Sequence, residues 1–383
     1  NSQLLTSKFN IDRAQAEIVQ EKLWANPTFS ISEVNLWKTH NIEKQPYLFG
    51  KYGQNQQISL ELEQLIETAG KRQKRIAIRK LEEQSAIFDY EELLRELRKD
   101  LRLAFYELQR IQQEEEQLDE VIELYTQMNE QYQRQSELKN IAVADFYRIQ
   151  TELISLEKDK IELKKEAFQA LSTVRILTHH PYLEIKDIVF SQSAHEYANK
   201  LPQNLIEIAL EQHIGLTRQE NEKSIMRQQL ALEKAQNTPD LRFQINYDRG
   251  GNIMSDFVGI GVSFDLPIFN RNKGNIKSAE IAITQQNTIQ QTLEVNLIQT
   301  IQQLQNQLNN IQHALQNWPS AHIDNQKLMQ ENYKNHLLNK QVTLLEFIDF
   351  VQAYREISQA HFQLQQNYHT TLEELQHLVG QDL

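Results

Sequence analysis

The chain has 383 residues, 24% of them charged, and a net charge of −12, a balance that argues against a nucleic-acid partner. It contains no Cys, which removes thiol catalysis, zinc–thiolate sites and disulfides together. Its 10 Gly and 7 Pro are too few for the loops of two or three ordinary domains, so long uninterrupted elements are implied. No apolar run reaches the ~18 residues of a membrane-crossing helix, and any crossing must therefore use strands. Residue 1 is Asn with no charged and apolar leader ahead of it, so an export signal is expected to be already removed or never present.

In chain order, a helix rises to Asn26-Pro27 and leads into a first strand pair over 27–66. There Ile58, Leu60 and Leu62 alternate with Ser59, Glu61 and Glu63, while Phe29 to Leu36 alternates less cleanly, with a phase slip near Glu33 that suggests a bulge. A long helix over 71–137 follows, then a tight turn and a returning helix over 144–178. Residues 181–203, bracketed by Pro181 and Pro202, form a linker. The plan then repeats: a helix from Leu205 to Gln236, a strand pair over 239–269, a long helix over 275–337 and a returning helix over 345–380. Pro319, which lacks the N–H for an intrahelical bond, should kink the second long helix. At 1.5 Å per residue the long helices should reach roughly 100 Å.

Three correspondences carry the duplication. Leu94, Leu97, Leu101, Ala104, Leu108 and Ile111 keep a 3-4 spacing that Ile301, Leu304, Leu308, Ile311, Leu315 and Trp318 repeat 207 residues later, a shift that heptads leave ambiguous by seven. Asn26-Pro27 aligns with Thr238-Pro239 at 212, and Asp145-Phe146 with Glu346-Phe347 at 201. The expected fold is thus mainly α with a small β part: residues 1–180 and 204–383 as two repeats, each with long antiparallel helices and two strands.

Phe243, Ile245, Val258, Ile260, Val262 and Phe264 lie on one face of the second strand pair, opposite Gln244, Asn246, Gly259, Gly261 and Ser263. Four such strands cannot close on themselves, and membrane barrels need about eight or more, so several chains must contribute. An eight-stranded barrel is filled by its own side chains. A conducting pore therefore favours three chains and twelve strands, with the six apolar residues facing lipid and the polar face lining water. The loops His40 to Asn55 and Asp248 to Asp256 suit the exposed hairpin ends.

Residues 237–276, above all the stretch DLPIFNRNKGNI, resemble the second strand pair of TolC-like outer-membrane efflux factors, especially their CzcC-like heavy-metal branch. Asn26-Pro27 and the run Gly70-Lys71-Arg72-Gln73-Lys74-Arg75 supply the first-half match, and through the duplication the resemblance covers the whole chain. It implies a homotrimer in the outer membrane of a Gram-negative bacterium, with a large periplasmic part. It further implies a twelve-stranded barrel on a helical tunnel, joined through a periplasmic adaptor to an inner-membrane RND-type pump. The function implied is passive efflux, with heavy-metal cations as the cargo of the resembled branch. Ducts for drugs or secreted proteins, and a structural coiled-coil scaffold, stand as alternatives. Two departures matter: about eleven residues present before His213 have no counterpart before Asn26, suggesting N-terminal trimming, and the expected tip glycines are replaced by Asn140 and Asn339. Asn tolerates the left-handed region, so the turns should survive.

No Ser/His/Asp grouping, Gly-rich phosphate loop or metal-ligand spacing occurs, so neither catalysis nor a cofactor is expected. His361, His369 and His377 recur every eight residues and so do not converge; they should lie on a solvated helix face. Lys71, Arg72, Lys74 and Arg75 sit at a helix N-terminus, where cations oppose the dipole. Contact with lipid phosphates and a plain solvated run both remain open for them, and Arg271 and Lys273 occupy the matching junction. Past the second tip, Glu346 and Asp349 share a helical face in an apolar run, a carboxylate there also suiting the dipole. The resemblance implies an acidic ring near this position that closes the periplasmic mouth, with Asp145 as the first-half equivalent.

Overall fold

The computed structural model of the protein describes residues 1–32, 57–190, 201–249, 256–318, 329 and 332–382. The phase slip at Glu33, the loop from His40 to Asn55, the middle of the second hairpin loop and the kink at Pro319 lie outside them. The fold is mainly helical with one small sheet. In order it runs α1 (Ser2–Glu21), β1 (Thr28–Ser32), β2 (Ile58–Ile66), α2 (Lys71–Glu137), α3 (Val143–Thr178), α4 (Leu205–Gln212), α5 (Ile214–Ala235), β3 (Leu241–Arg249), β4 (Phe257–Ser263), α6 (Lys273–Asn317) and α7 (Leu344–Val379). The strands pair antiparallel in the order β1-β2-β3-β4, so the two hairpins join through β2 and β3, and β1 and β4 are the edges.

The rising helix of the second half is not one helix. His213 is extended (φ −67°, ψ 116°), its N–H closes α4 on the Ala209 carbonyl, and its ring Nδ1 accepts the Leu216 N–H at 3.3 Å. The imidazole thereby caps α5, and Asn1 does the same for α1 by accepting the Gln3 N–H at 2.8 Å. Asn1 and His213 stand 212 positions apart, the shift read from the proline pairs.

Both helical tips close with the same bonds. The Asn140 N–H donates to the Gln135 carbonyl at 2.9 Å, and the Gln341 N–H to the His336 carbonyl at 2.8 Å, a shift of 201. In each, the left-handed residue is a lysine, Lys139 at φ 60° and Lys340 at φ 55°, and not Asn140 or Asn339. The six-to-one bond fixes which position must turn, and that position falls one residue away from each asparagine. The returning helices then end on left-handed caps, His179 and Gly380, again 201 apart. For the long helices this selects a shift of 200, one heptad below 207. Leu101, Ala104, Leu108 and Ile111 then fall on Ile301, Leu304, Leu308 and Ile311, whereas Leu94 and Trp318 are exposed.

Two compact units cut across the repeats. One contains residues 1–5, 91–216 and 293–383, the other residues 6–90 and 217–292. In the first, Leu108, Ile111, Val121, Tyr125 and Met128 of α2 pack on Ile149, Leu156, Leu163 and Leu171 of α3, and Phe347 and Val351 of α7 join them. A second cluster joins α4, α6 and α7 through Leu205, Ile301, Leu308, Leu375 and Val379. In the other unit α5 lies between α2 and α6. Asn221 donates to the Leu81 carbonyl at 2.8 Å, and Gln219 and Lys223 reach Gln286 and Gln290. Each unit thus draws helices from both halves, which is why neither half is a domain by itself.

The tip geometry makes a prediction. Lys340→Gly relieves a strained left-handed residue and should raise stability in a thermal melt by roughly 0.5 kcal/mol, after its extra unfolded-state entropy is set against the relief. Asn339→Gly, which gains no such relief, should lower it.

Candidate membrane-facing sheet, junction and helical tips

The sheet's two faces differ in kind. Cross-strand pairing sets Phe29 opposite Leu62, Leu62 opposite Ile245, Ile245 opposite Ile260, and Phe243 opposite Val262. Phe243, Ile245, Val258, Ile260 and Val262 therefore share one face with Phe29, Ile31, Leu60 and Leu62, and Phe264 continues it just past the end of β4. This face is bare in the single chain, with Ile260 89% exposed. The other face carries Glu61, Glu63, Arg242, Gln244 and Asn246, and Gln244 donates to Glu63 at 2.8 Å. No helix among the described residues is long and apolar enough to cross a membrane.

The basic run at the head of α2 is engaged within the chain. Lys71 is 3% exposed, and its Nζ donates to Asp240 Oδ1 and to the Thr238 carbonyl, both at 2.8 Å. Asp240 also accepts the Thr68 N–H at 2.9 Å, while the Thr68 hydroxyl donates to the Pro239 carbonyl at 2.6 Å. Burial alone would raise the Asp240 carboxyl, yet the Lys71 ammonium and the Thr68 N–H hold it below its ordinary value. Arg75 forks onto Glu67 at 2.7 Å and reaches Glu21 at 2.6 Å, and Arg72 lies 3.9 Å over the Trp24 ring. Lys74 donates to the Ala69 carbonyl. Cations tolerated against the dipole are thus held by carboxylates, carbonyls and a ring of the same chain. Arg271 and Lys273 at the second junction are exposed instead.

At the tips, Glu346 and Asp349 are exposed and Asp145 is half-buried. Glu346 closes a capping box: it accepts from the Thr343 N–H at 2.7 Å and hydroxyl at 2.9 Å, and the Thr343 oxygen accepts the Glu346 N–H. The Thr343 N–H, then its hydroxyl, hold the Glu346 carboxyl below its ordinary value. Beneath them Phe347 and Ile348 are buried.

His361 and His369 are buried, not solvated: α7 is covered on this side, and His369 stacks on Tyr106 at 4.3 Å. Burial lowers the titration of His361 and of His377. The three do not converge, and no group of metal-ligating side chains occurs among the described residues. Sequence reasoning also missed Arg355–Asp159 at 2.8 Å and Arg102–Glu373 at 2.9 Å, which tie α7 to α3 and α2. Their partners stand 196 and 271 positions apart, a separation at which charge pattern carries no signal.

No protein-family model and no curated protein matches the chain. Solved structures do. The Campylobacter jejuni CmeC outer membrane channel is 15% identical, with a TM-score of 0.78 over 99% of this chain and 83% of that one. CusC, described in terms of folding and transmembrane channel formation, is 15% identical with a TM-score of 0.80 over 100% and 89%. The open state of the Neisseria gonorrhoeae MtrE outer membrane channel is 14% identical with a TM-score of 0.76 over 100% and 87%. At these identities the likeness establishes a shared fold: long duplicated helices with a four-stranded antiparallel sheet, over nearly the full length.

Two predictions come from these sites. Asp240→Asn leaves the Lys71 ammonium buried without its counter-charge and should cost about 3 kcal/mol in a denaturant melt, the low end for breaking a buried pair. For His361, the folded ring stays neutral while the unfolded ring takes a proton below about pH 6.5, so stability is full above that pH and falls as pH drops. His361→Leu cannot take the proton and should show a shallower loss between pH 7 and 5.

Proposed function

We propose that the chain is one protomer of a homotrimeric outer-membrane efflux duct of a Gram-negative bacterium, passing solutes through a shared twelve-stranded barrel and catalysing no reaction. The observation that carries this reading is the sheet. A four-stranded sheet with a bare apolar face and two edge strands has unpaired backbone groups that lipid cannot satisfy, and closure with further copies supplies the partners. A coiled-coil scaffold would use the helices but leaves that face and those edges without purpose. The exposed Arg271 and Lys273 suit lipid phosphates at the strand-to-helix junction. A periplasmic adaptor and an inner-membrane RND-type pump are the partners the sequence resemblance implies.

The resemblance of residues 237–276 to the heavy-metal branch supports cation cargo. The structural relatives support a channel of this fold more broadly than a metal exporter, and a drug or protein export duct fits them better. A passive channel needs no specific site for its cargo. As the gate we assign Glu346 and Asp349, with Asp145 as the first-half counterpart: three copies would gather these carboxylates into a ring that attracts cations and hinders anions.

Strand orientation tests the barrel. Arg at Ile245 or Ile260 should cost about 2–4 kcal/mol in lipid, whereas Arg at Gln244 or Ser263 should be tolerated; equal damage on both faces contradicts it. For the gate, Glu346→Gln keeps the capping box while removing charge, and combined with Asp349→Asn it should weaken block of single-channel conductance by divalent cations. Unchanged block would place the constriction elsewhere.

A further inference from the structure

The rising helices of the two halves start on equivalent joints with different chemistry. Asn1 accepts the Gln3 N–H at the head of α1, and its amide donates to the Leu177 carbonyl near the end of α3 at 3.3 Å. His213, 212 positions on, accepts the Leu216 N–H at the head of α5, beside the end of α7. The Gln212 carbonyl stands 2.8 Å from where a Cβ on Gly380 would be, and Arg95 Nη1 of α2 reaches it at 3.5 Å. At the shift of 201, Leu177 and His179 of α3 become Leu378 and Gly380 of α7, so in each half a helix start lies against the end of a returning helix. The first joint is capped by an amide. The second is capped by an imidazole, and it carries another histidine, His377, where α3 has Ile176.

An amide caps a helix at any pH, whereas an imidazole accepts a hydrogen bond only while one nitrogen is bare. His213 Nδ1 accepts from Leu216, whose N–H also reaches the His213 carbonyl at 3.0 Å, so the ring proton sits on Nε2. Gly215 leaves space for this pose, because a Cβ there would come within 2.7 Å of the ring. A second proton would set Nδ1–H against the Leu216 N–H, two donors 3.3 Å apart, and the ring would have to turn away. Leu216 is buried in the cluster that joins α4, α6 and α7. Burial and then His377 lower the titration of His213; Glu92 of α2 opposes them and Arg95 adds to them. His377 is lowered by burial and then by Lys99, against Glu96 and Glu92, with Arg95 adding a little, all four on α2. Its Nδ1 is buried with no hydrogen-bond partner among the described residues.

We propose that the joint between α4 and α5 is an acid-sensitive latch, closed while the His213 imidazole is neutral and released when it takes a proton, whereas the Asn1 joint of the first half does not respond. A folded-state value held below the ordinary one means that the closed form is complete at neutral pH and is lost as pH falls through that value. Release costs the first turn of α5 its side-chain cap and loosens Leu216 from the cluster it fills. The latch is a property of the single chain and does not depend on the duct reading.

Hydrogen–deuterium exchange on the purified full chain, corrected for the intrinsic effect of pH, reads it. As pH is lowered from about 7.5 to about 4.5, protection of the amides of residues 214–218 should fall several-fold while that of residues 3–6 holds steady. His213→Asn supplies the cap of the first half and should keep the protection of 214–218 flat over the same range. His377→Gln removes a neighbouring charge that opposes the proton and should move the midpoint to higher pH. Protection of 214–218 that ignores pH, or that falls equally in His213→Asn, overturns the latch. A parallel fall at 3–6 shows general loosening in acid and overturns it as well. The same response in a chain that proves monomeric leaves the latch standing where the duct falls.

Discussion

Backbone groups at the edges of a four-stranded sheet are the constraint on which the rest depends. β2 and β3 are paired on both sides, but among the described residues β1 and β4 each present one row of N–H and C=O groups beside an exposed apolar face. In water such an edge invites aggregation, and in a bilayer each unpaired group costs several kcal/mol. The polar face, with Glu61, Glu63, Arg242 and Gln244, is equally unsuited to a dry core. One copy is therefore half of a structural argument, and the proposed barrel is its completion. The junction shows how the sheet is held to the helices: Lys71 at the head of α2 is locked on Asp240 and Thr238, so the first hairpin's handover to helix is fixed by the entry to the second hairpin.

Duplication then does what a larger set of unique contacts would otherwise do. Tip turns and return-helix caps obey one shift, and the long helices follow it within a single residue. Where the repeats differ, the difference tracks covering. Positions of α2 that meet α7 within the chain are arginine and tyrosine with named partners, whereas their α6 equivalents are amides lining an open groove. Amides can hydrogen-bond in either sense and carry no charge to strand.

Alternation and heptads made the element types legible, because period 2 and period 3.5 leave different residues on a face. Leu241 to Tyr247 and Val258 to Phe264 could be assigned to faces from the sequence, and the register sets them side by side. What failed was local or long-range. The break at His213 has neither Pro nor Gly at the turning residue, and an imidazole acting as a cap is a matter of geometry. The left-handed tip residue is a lysine because the bonding pattern, not residue preference, selects the position. His361 and His369 were misplaced because one helix seen alone shows two faces, while α7 is covered on more than one by helices far away in sequence. Lys71, likewise, has a partner 169 positions on, which no spacing rule reveals.

The central claim is that the sheet is completed by other copies, and hydrogen–deuterium exchange on the detergent-solubilised assembly reads it most directly. If β4 of one copy pairs with β1 of the next, amides of Thr28–Ser32 and Phe257–Ser263 should be as protected as those of β2 and β3. Fast exchange along one face of β1 and β4, with β2 and β3 protected, would show a sheet that stays four-stranded and would contradict the shared barrel.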